Sequence, residues 1–213
     1  MPFDYSHQPV QWTDEQGIDH NATIVSHIRD GATSTVWMAI EKKPDAQTVE
    51  WVVKIPLPGQ VNDMTDDFEP EEVVVENLRA YYQKDGKQAP IPEMAATWVT
   101  GLPSIVMKFF SVENQAILAR QKPDFVQRNF ARFAQDSVAV FEACVDLGYI
   151  NTDIKDENFY WYEPGCLLVL DWNRCQRVEK FKDRGASSQQ EMIGYVAQVL
   201  YLIYTGKDIP GPL

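Results

Sequence analysis

The sequence predicts an α+β protein in two parts, a small antiparallel sheet followed by a mainly helical part. Three observations predict it. Runs of β-branched and aromatic residues, separated by Gly, Pro, Asn and Asp, occupy residues 22–110. Apolar residues recur at intervals of three and four through residues 124–147 and again through 191–204. Between these helical stretches lie a polar loop and a short hairpin, residues 151–173.

With 213 residues, 45% of them apolar, the chain can bury about 70% of its unfolded surface and needs no covalent staples. A net charge of −12, from 31 acidic and 19 basic residues, argues against nucleic-acid and anionic-membrane partners. No stretch approaches the roughly 18 uninterrupted apolar residues of a membrane span. The start Met1-Pro2-Phe3-Asp4 lacks the basic and apolar regions of a signal peptide. A soluble, cytoplasmic protein is therefore expected. Cys144, Cys166 and Cys175 show neither an even count nor metal-ligand spacing, and read as reduced thiols in or near the core.

Residues 1–20 carry no periodic signal and read as an extension. Thr23-Ile24-Val25 leads to a turn at Asp30-Gly31. Thr33 to Ile40 and Val49 to Ile55 then read as two further strands of one antiparallel sheet. Residues 56–66 hold Pro56, Pro58, Gly59 and Asn62 and read as a loop. A helix comes next, with Pro70 near its start, acidic residues in its first turn, and Val74, Val75, Leu78 and Tyr82 at helical spacing. Met94 to Val99 and Ser104 to Phe110 read as two more strands. The stripe Phe125, Val126, Phe130, Phe133, Val138, Phe141 and Val145 marks a long core helix ended by Gly148. Arg174 to Gln190 reads as a polar connection before a last helix, Glu191 to Tyr204, stopped at Thr205-Gly206.

The chemistry is concentrated in Asn151-Thr152-Asp153-Ile154-Lys155-Asp156-Glu157-Asn158, followed by Phe159 to Tyr162, a turn at Pro164-Gly165, and Leu167 to Leu170 running into Asp171-Trp172-Asn173. Two aspartates and an asparagine gathered in this way offer hard oxygen ligands, and Lys155 adds a mobile positive charge. Few protein ligands of this type suit magnesium carried by a nucleotide phosphate. The stretch resembles the catalytic core of the protein kinase family, whose pattern H-R-D-L-x-x-x-N is followed by D-F-G after a hairpin. The offset of five from Asp153 to Asn158 is that of the pattern. The 171 − 153 = 18 residues between the aspartates leave room for the hairpin.

The resemblance implies a bilobal kinase-like fold: a small ATP-binding lobe over residues 21–110, and a truncated helical lobe with catalytic loop and metal hairpin over 111–213. It implies Asp153 and Lys155 as catalytic residues, Asn158 and Asp171 as magnesium ligands, and ATP with Mg2+ as cofactors. Lys54, in Val52-Val53-Lys54, resembles the V-A-I-K lysine that binds the α and β phosphates and pairs with a helix glutamate. Glu71 shares the face of Val74, Val75 and Leu78 and is the first choice for that partner, ahead of Glu72 and Glu76. With Val36 as the valine of G-x-G-x-x-G-x-V, the glycine positions fall on Arg29, Gly31 and Ser34, so one glycine is kept; Ser34 and Thr35 would add hydroxyl donors to phosphate. Backbone groups of Lys108, Phe109 and Phe110 would hold adenine, with Met107 behind it.

Departures from the pattern narrow this reading. Asn151-Thr152 replaces His-Arg, the segment after Asp171 is short and lacks A-P-E, and Glu191-Met192 stands where the family has an aspartate on the last helix. Asn173 replaces the glycine of D-F-G, a change asparagine tolerates better than most residues. These changes imply no control by activation-loop phosphorylation. The function expected is transfer of the γ-phosphate of ATP to a hydroxyl, on Ser/Thr of a protein because Lys155 resembles the lysine of Ser/Thr kinases. Two alternatives stand beside it: a pseudokinase that binds nucleotide and regulates a protein partner, and a small-molecule kinase or nucleotidyl transferase.

Overall fold

The computed structural model describes residues 4–57, 68–109, 113–114, 122–163, 166–180 and 185–207. The chain forms two compact units, Met1–Thr65 with Glu93–Phe110, and Asp66–Pro92 with Ser111–Leu213. Among the described residues no helix is long and apolar enough to cross a membrane.

The first unit is a six-stranded antiparallel sheet. In chain order its strands are β1 (Pro9–Thr13), β2 (Asp19–Asp30), β3 (Ser34–Lys42), β4 (Thr48–Pro56), β5 (Met94–Val99) and β6 (Leu102–Lys108). Their spatial order is β1-β2-β3-β4-β6-β5. The Thr97 hydroxyl, on one edge strand, donates to the Gln11 carbonyl of the other at 2.7 Å, so the sheet curls around its core. That core holds Val10, Trp12, Ala22, Ile24, Trp37, Ala39, Val53, Ile55 and Val106, all buried.

Residues 1–20, expected as an extension, include an edge strand. Val10 and Trp12 alternate inward between exposed Pro9, Gln11 and Thr13, the period that half-buried strands require. The turn after them is closed by Asp14, whose Oδ1 accepts the N–H groups of Gln16 and Ile18, both at 2.9 Å.

The second unit carries α1 (Glu71–Gln83), β7 (Glu113–Asn114), α2 (Pro123–Asp146), β8 (Tyr149–Asn151), β9 (Phe159–Glu163), β10 (Cys166–Val169), β11 (Cys175–Arg177) and α3 (Gly185–Thr205). Within this unit α1 and the residues just before it are tied to the end of α2 and to the segments beyond it. Asn77 donates to the Tyr149 hydroxyl at 2.7 Å, the Tyr81 hydroxyl to Asp146 at 2.6 Å, and the Glu69 N–H to the Cys175 carbonyl at 2.8 Å. Helix α1 belongs to this second unit, whereas the sequence reading groups all of 21–110 in one lobe. Gly148 ends α2 with φ 75°, the left-handed turn expected of it.

The connection expected from Arg174 to Gln190 is more ordered than its polarity implies. It contains β11, which pairs antiparallel with β8, and the first residues of α3, which begins at Gly185 instead of Glu191. No apolar stripe marks that first part, so periodicity alone leaves it unseen. Cys144 and Cys175 are buried free thiols, and burial pushes the Cys175 thiol up. The expected loop at 58–66, the turn Pro164-Gly165, Phe110 and the Cys166 side chain lie outside the described residues.

Candidate functional site

Two-stranded pairing of β8 with β11 brings both ends of residues 151–175 together, and the Thr152 N–H extends the ribbon by donating to the Arg174 carbonyl at 3.1 Å. Inside this loop the Asn151 side chain accepts the Asp153 N–H at 2.9 Å, an Asx turn that presents the aspartate. The Lys155 ammonium donates to Asp153 Oδ2 at 2.8 Å, and the Asn158 amide nitrogen donates to the Asp153 carbonyl at 3.1 Å. Asp153, Lys155 and Asn158 thus form one hydrogen-bonded cluster, at the offsets of two and five expected of them. The Asp153 hydrogen bond first, then the negative charges of Asp153, Asp171 and Glu157, hold the Lys155 pKa above its ordinary value despite partial burial. Lys155 is a cation throughout the neutral range.

The hairpin of β9 and β10 returns the chain to Asp171, whose φ of 66° places a non-glycine residue in the left-handed region. Such conformations cost about 1–3 kcal/mol and gather at functional sites. The neighbouring tryptophan over-determines this one. Trp172 is fully buried, stacks at a tilt against Phe141 at 5.4 Å, and its indole N–H donates to the Val169 carbonyl at 3.1 Å. Its backbone N–H donates to Glu71 Oε1 at 2.9 Å. Glu71 is 3% exposed, and Glu72 and Glu76 face solvent. Of these three glutamates, Glu71 is the one turned inward.

In the first unit, strand register sorts the other expected residues. Val36 lies opposite Lys54, Lys54 opposite Ile105, and Val52 opposite Met107. Val36, Lys54 and Met107 therefore share one half-buried face of the sheet with Ser34, while Thr35 and Trp37 point to the core face. Thr35 corrects one expectation: its hydroxyl bonds the Asp30 carboxylate, away from the face of Lys54. Two backbone donors are also engaged. The Gly31 N–H donates to the Ser34 carbonyl at 2.7 Å in a tight turn, and a Cβ on Gly31 would meet that oxygen at 3.2 Å. The Phe109 N–H donates to the Glu50 carbonyl at 3.0 Å. Lys54 belongs to the first unit and Glu71, Asp153 and Asp171 to the second.

The donor set fits magnesium in chemistry. Asn158, its amide nitrogen held by Asp153, offers its oxygen, and Asp171 offers a carboxylate, both hard ligands. Among the described residues no three His, Cys, Asp or Glu side chains converge as a self-contained metal cage. One supporting residue entered the sequence reading only as a departure, within Glu191-Met192. Met192 is buried on α3, and its sulfur accepts the Asn151 N–H at 3.2 Å.

No protein-family model and no curated protein matches the chain. Among solved structures it is similar to a rhoptry kinase from Toxoplasma gondii, with a TM-score of 0.60 and 10% identity, over 95% of this chain and 67% of that one. At that identity the likeness shows the fold, which is kinase-like: a mixed α/β chain with an antiparallel sheet and three described helices.

Proposed function

We propose that the chain is a phosphotransferase of kinase-like fold that uses ATP and magnesium to phosphorylate a hydroxyl, with a Ser/Thr side chain of a protein as the acceptor. The observation that carries this reading is the closed cluster of Asp153, Lys155 and Asn158, beside an Asp171 held in left-handed backbone. Phosphoryl transfer is chiefly positioning and charge neutralisation. Asp153, oriented by Asn151 and Lys155, accepts the hydrogen bond of the acceptor hydroxyl and takes its proton as the oxygen is phosphorylated. Lys155 neutralises charge that builds on the transferred group. Asn158 and Asp171 would hold magnesium, which when bound neutralises phosphate charge. Lys54 would meet the α and β phosphates, with Glu71 as its partner, and Ser34, Val36, Gly31, Met107 and Phe109 would line the nucleotide. Replacement of His-Arg by Asn151-Thr152 supports activity without activation-loop phosphorylation.

A nucleotide-binding pseudokinase is the second reading, favoured by the engaged N–H groups of Gly31 and Phe109. Incubation with ATP labelled at the γ or the α position decides among the readings. Transfer of γ label to protein, lost in Asp153→Ala and in Asp171→Ala, supports the proposal. ATP binding without transfer to any acceptor would overturn it in favour of the pseudokinase, and transfer of α label would identify a nucleotidyl transferase.

A further inference from the structure

The core face of the first unit opens into a cavity of about 450 Å³ that belongs to none of the chemistry above. Its floor is Trp37, 5% exposed, and Tyr5, 4% exposed. Register fixes which residues stand around it. His27 lies opposite Trp37 and Asp30 opposite Thr35. Since 27 and 30 differ by an odd number, a regular strand would send them to opposite faces. Strand β2 has one bulge between Ile24 and Ser26 and a second between His27 and Arg29. The second bulge leaves Ile28 unopposed and brings His27 and Asp30 to the same face. Bulges that re-aim side chains in this way are frequent beside binding sites.

The rings are set edge to face. Tyr5 meets Trp37 at 5.7 Å and 86°, and His27 meets Trp37 at 5.0 Å and 66°. Two carboxylates stand at the rim, Asp4 capping the Ser6 N–H at 2.9 Å and Asp30 within 2.9 Å of His27 Nε2. Hydrogen bonds from Ser6 hold Asp4, and those from Thr35 and His27 hold Asp30, below the ordinary carboxylate range, so both are anionic at neutral pH. The Leu57 N–H, bonded to the Thr33 carbonyl at 3.0 Å, fixes the apolar end. Among the described lining residues there is no lysine or arginine.

Aromatic rings present negative faces to a cation, and carboxylates at the mouth supply the counter-charge. We propose that this cavity binds an alkylammonium group, the charge at the Asp4 and Asp30 rim and the carbon chain against Trp37 and Tyr5. The site lies on the sheet face opposite Val36 and Lys54, so its failure leaves the phosphotransfer reading untouched.

The test is a titration of the full chain, followed by NMR of the indole N–H groups, with the Trp37 signal assigned by its loss in Trp37→Phe. The probes are n-butylammonium, N-acetyl-lysine amide and neutral n-butanol. The Trp37 signal is expected to shift with one or both ammonium probes and not with n-butanol, and Asp30→Asn to weaken binding about tenfold. Response to n-butylammonium alone points to a small amine, and response to the lysine amide points to a lysine side chain. No shift with either ammonium, an equal shift with n-butanol, or unchanged affinity in Asp30→Asn overturns the proposal. Asp30 is exposed, so that variant should keep the fold, which the dispersion of the remaining indole signals checks.

Discussion

Glu71 separates two roles that coincide in one side chain. Its Oε1 accepts the Trp172 N–H at 2.9 Å, one residue after the strained Asp171, and it is 3% exposed. Under the proposed function its charge also faces Lys54. Glu71→Ala leaves a buried backbone N–H without this acceptor, at about 1–3 kcal/mol, and removes a buried methylene worth about 0.8 kcal/mol. A loss of about 2–4 kcal/mol is expected. Glu71→Gln keeps an oxygen for the Trp172 N–H and removes the charge, so its stability should stay within about 1 kcal/mol of wild type. Urea unfolding with an unchanged m-value reads the first effect, and calorimetric titration with an ATP analogue and magnesium reads the second. Gln should keep stability and lose nucleotide affinity. If Ala proves as stable as Gln, the Trp172 bond is not what holds this corner, and the reasoning fails.

Lys54→Ala is expected to weaken ATP binding by about 1.5–3 kcal/mol, the worth of a charged hydrogen bond; unchanged affinity by calorimetry would remove Lys54 from the phosphates. Asp171→Gly relieves the backbone strain at φ 66° and should raise thermal stability by about 1 kcal/mol while abolishing magnesium-dependent label transfer; a destabilised variant would refute the strain argument. Burial pushes the Glu41 carboxyl up, but hydrogen bonds from Lys43 and His20 outweigh it and hold it below the ordinary carboxylate range. Its folded pKa is depressed, so its contribution is present above the unfolded value and lost as pH falls through the folded one. Glu41→Gln should accordingly flatten the acid limb of a stability profile below about pH 5; an unaltered limb would show that Glu41 does not set it.

The fold was legible where hydrophobic period and pairing agree. β3 and β4 pair without a register shift, so Val36 and Lys54 fall on one face both by counting and by register. β2 was read only in part because its two bulges break the period of two, and the unopposed Val25 and Ile28 place apolar side chains in solvent, 39% and 41% exposed. β1 does alternate, but over five residues, too few to stand out from scattered aromatics. The engaged N–H of Phe109 depends on a bond to Glu50 one residue beyond β6, which no local pattern encodes.

The Asp153 loop was legible because its polar partners are close in sequence, two and five residues from Asp153. What supports that loop was not, because Met192 lies 41 residues from Asn151. That contact is one of several around Asn151 and Thr152, the two residues before Asp153. Asn151 accepts the Asp153 N–H, its own N–H meets a thioether, and Thr152 bonds the Arg174 carbonyl through both its N–H and its hydroxyl, each at 3.1 Å. All of these are neutral interactions within one unit. An aspartate at position 192 would bury a charge where Met192 is 1% exposed, tolerable only with several donors. Asp153 is held from within its own loop, by neutral hydrogen bonds with Asn151 and Asn158 and by the Lys155 ammonium.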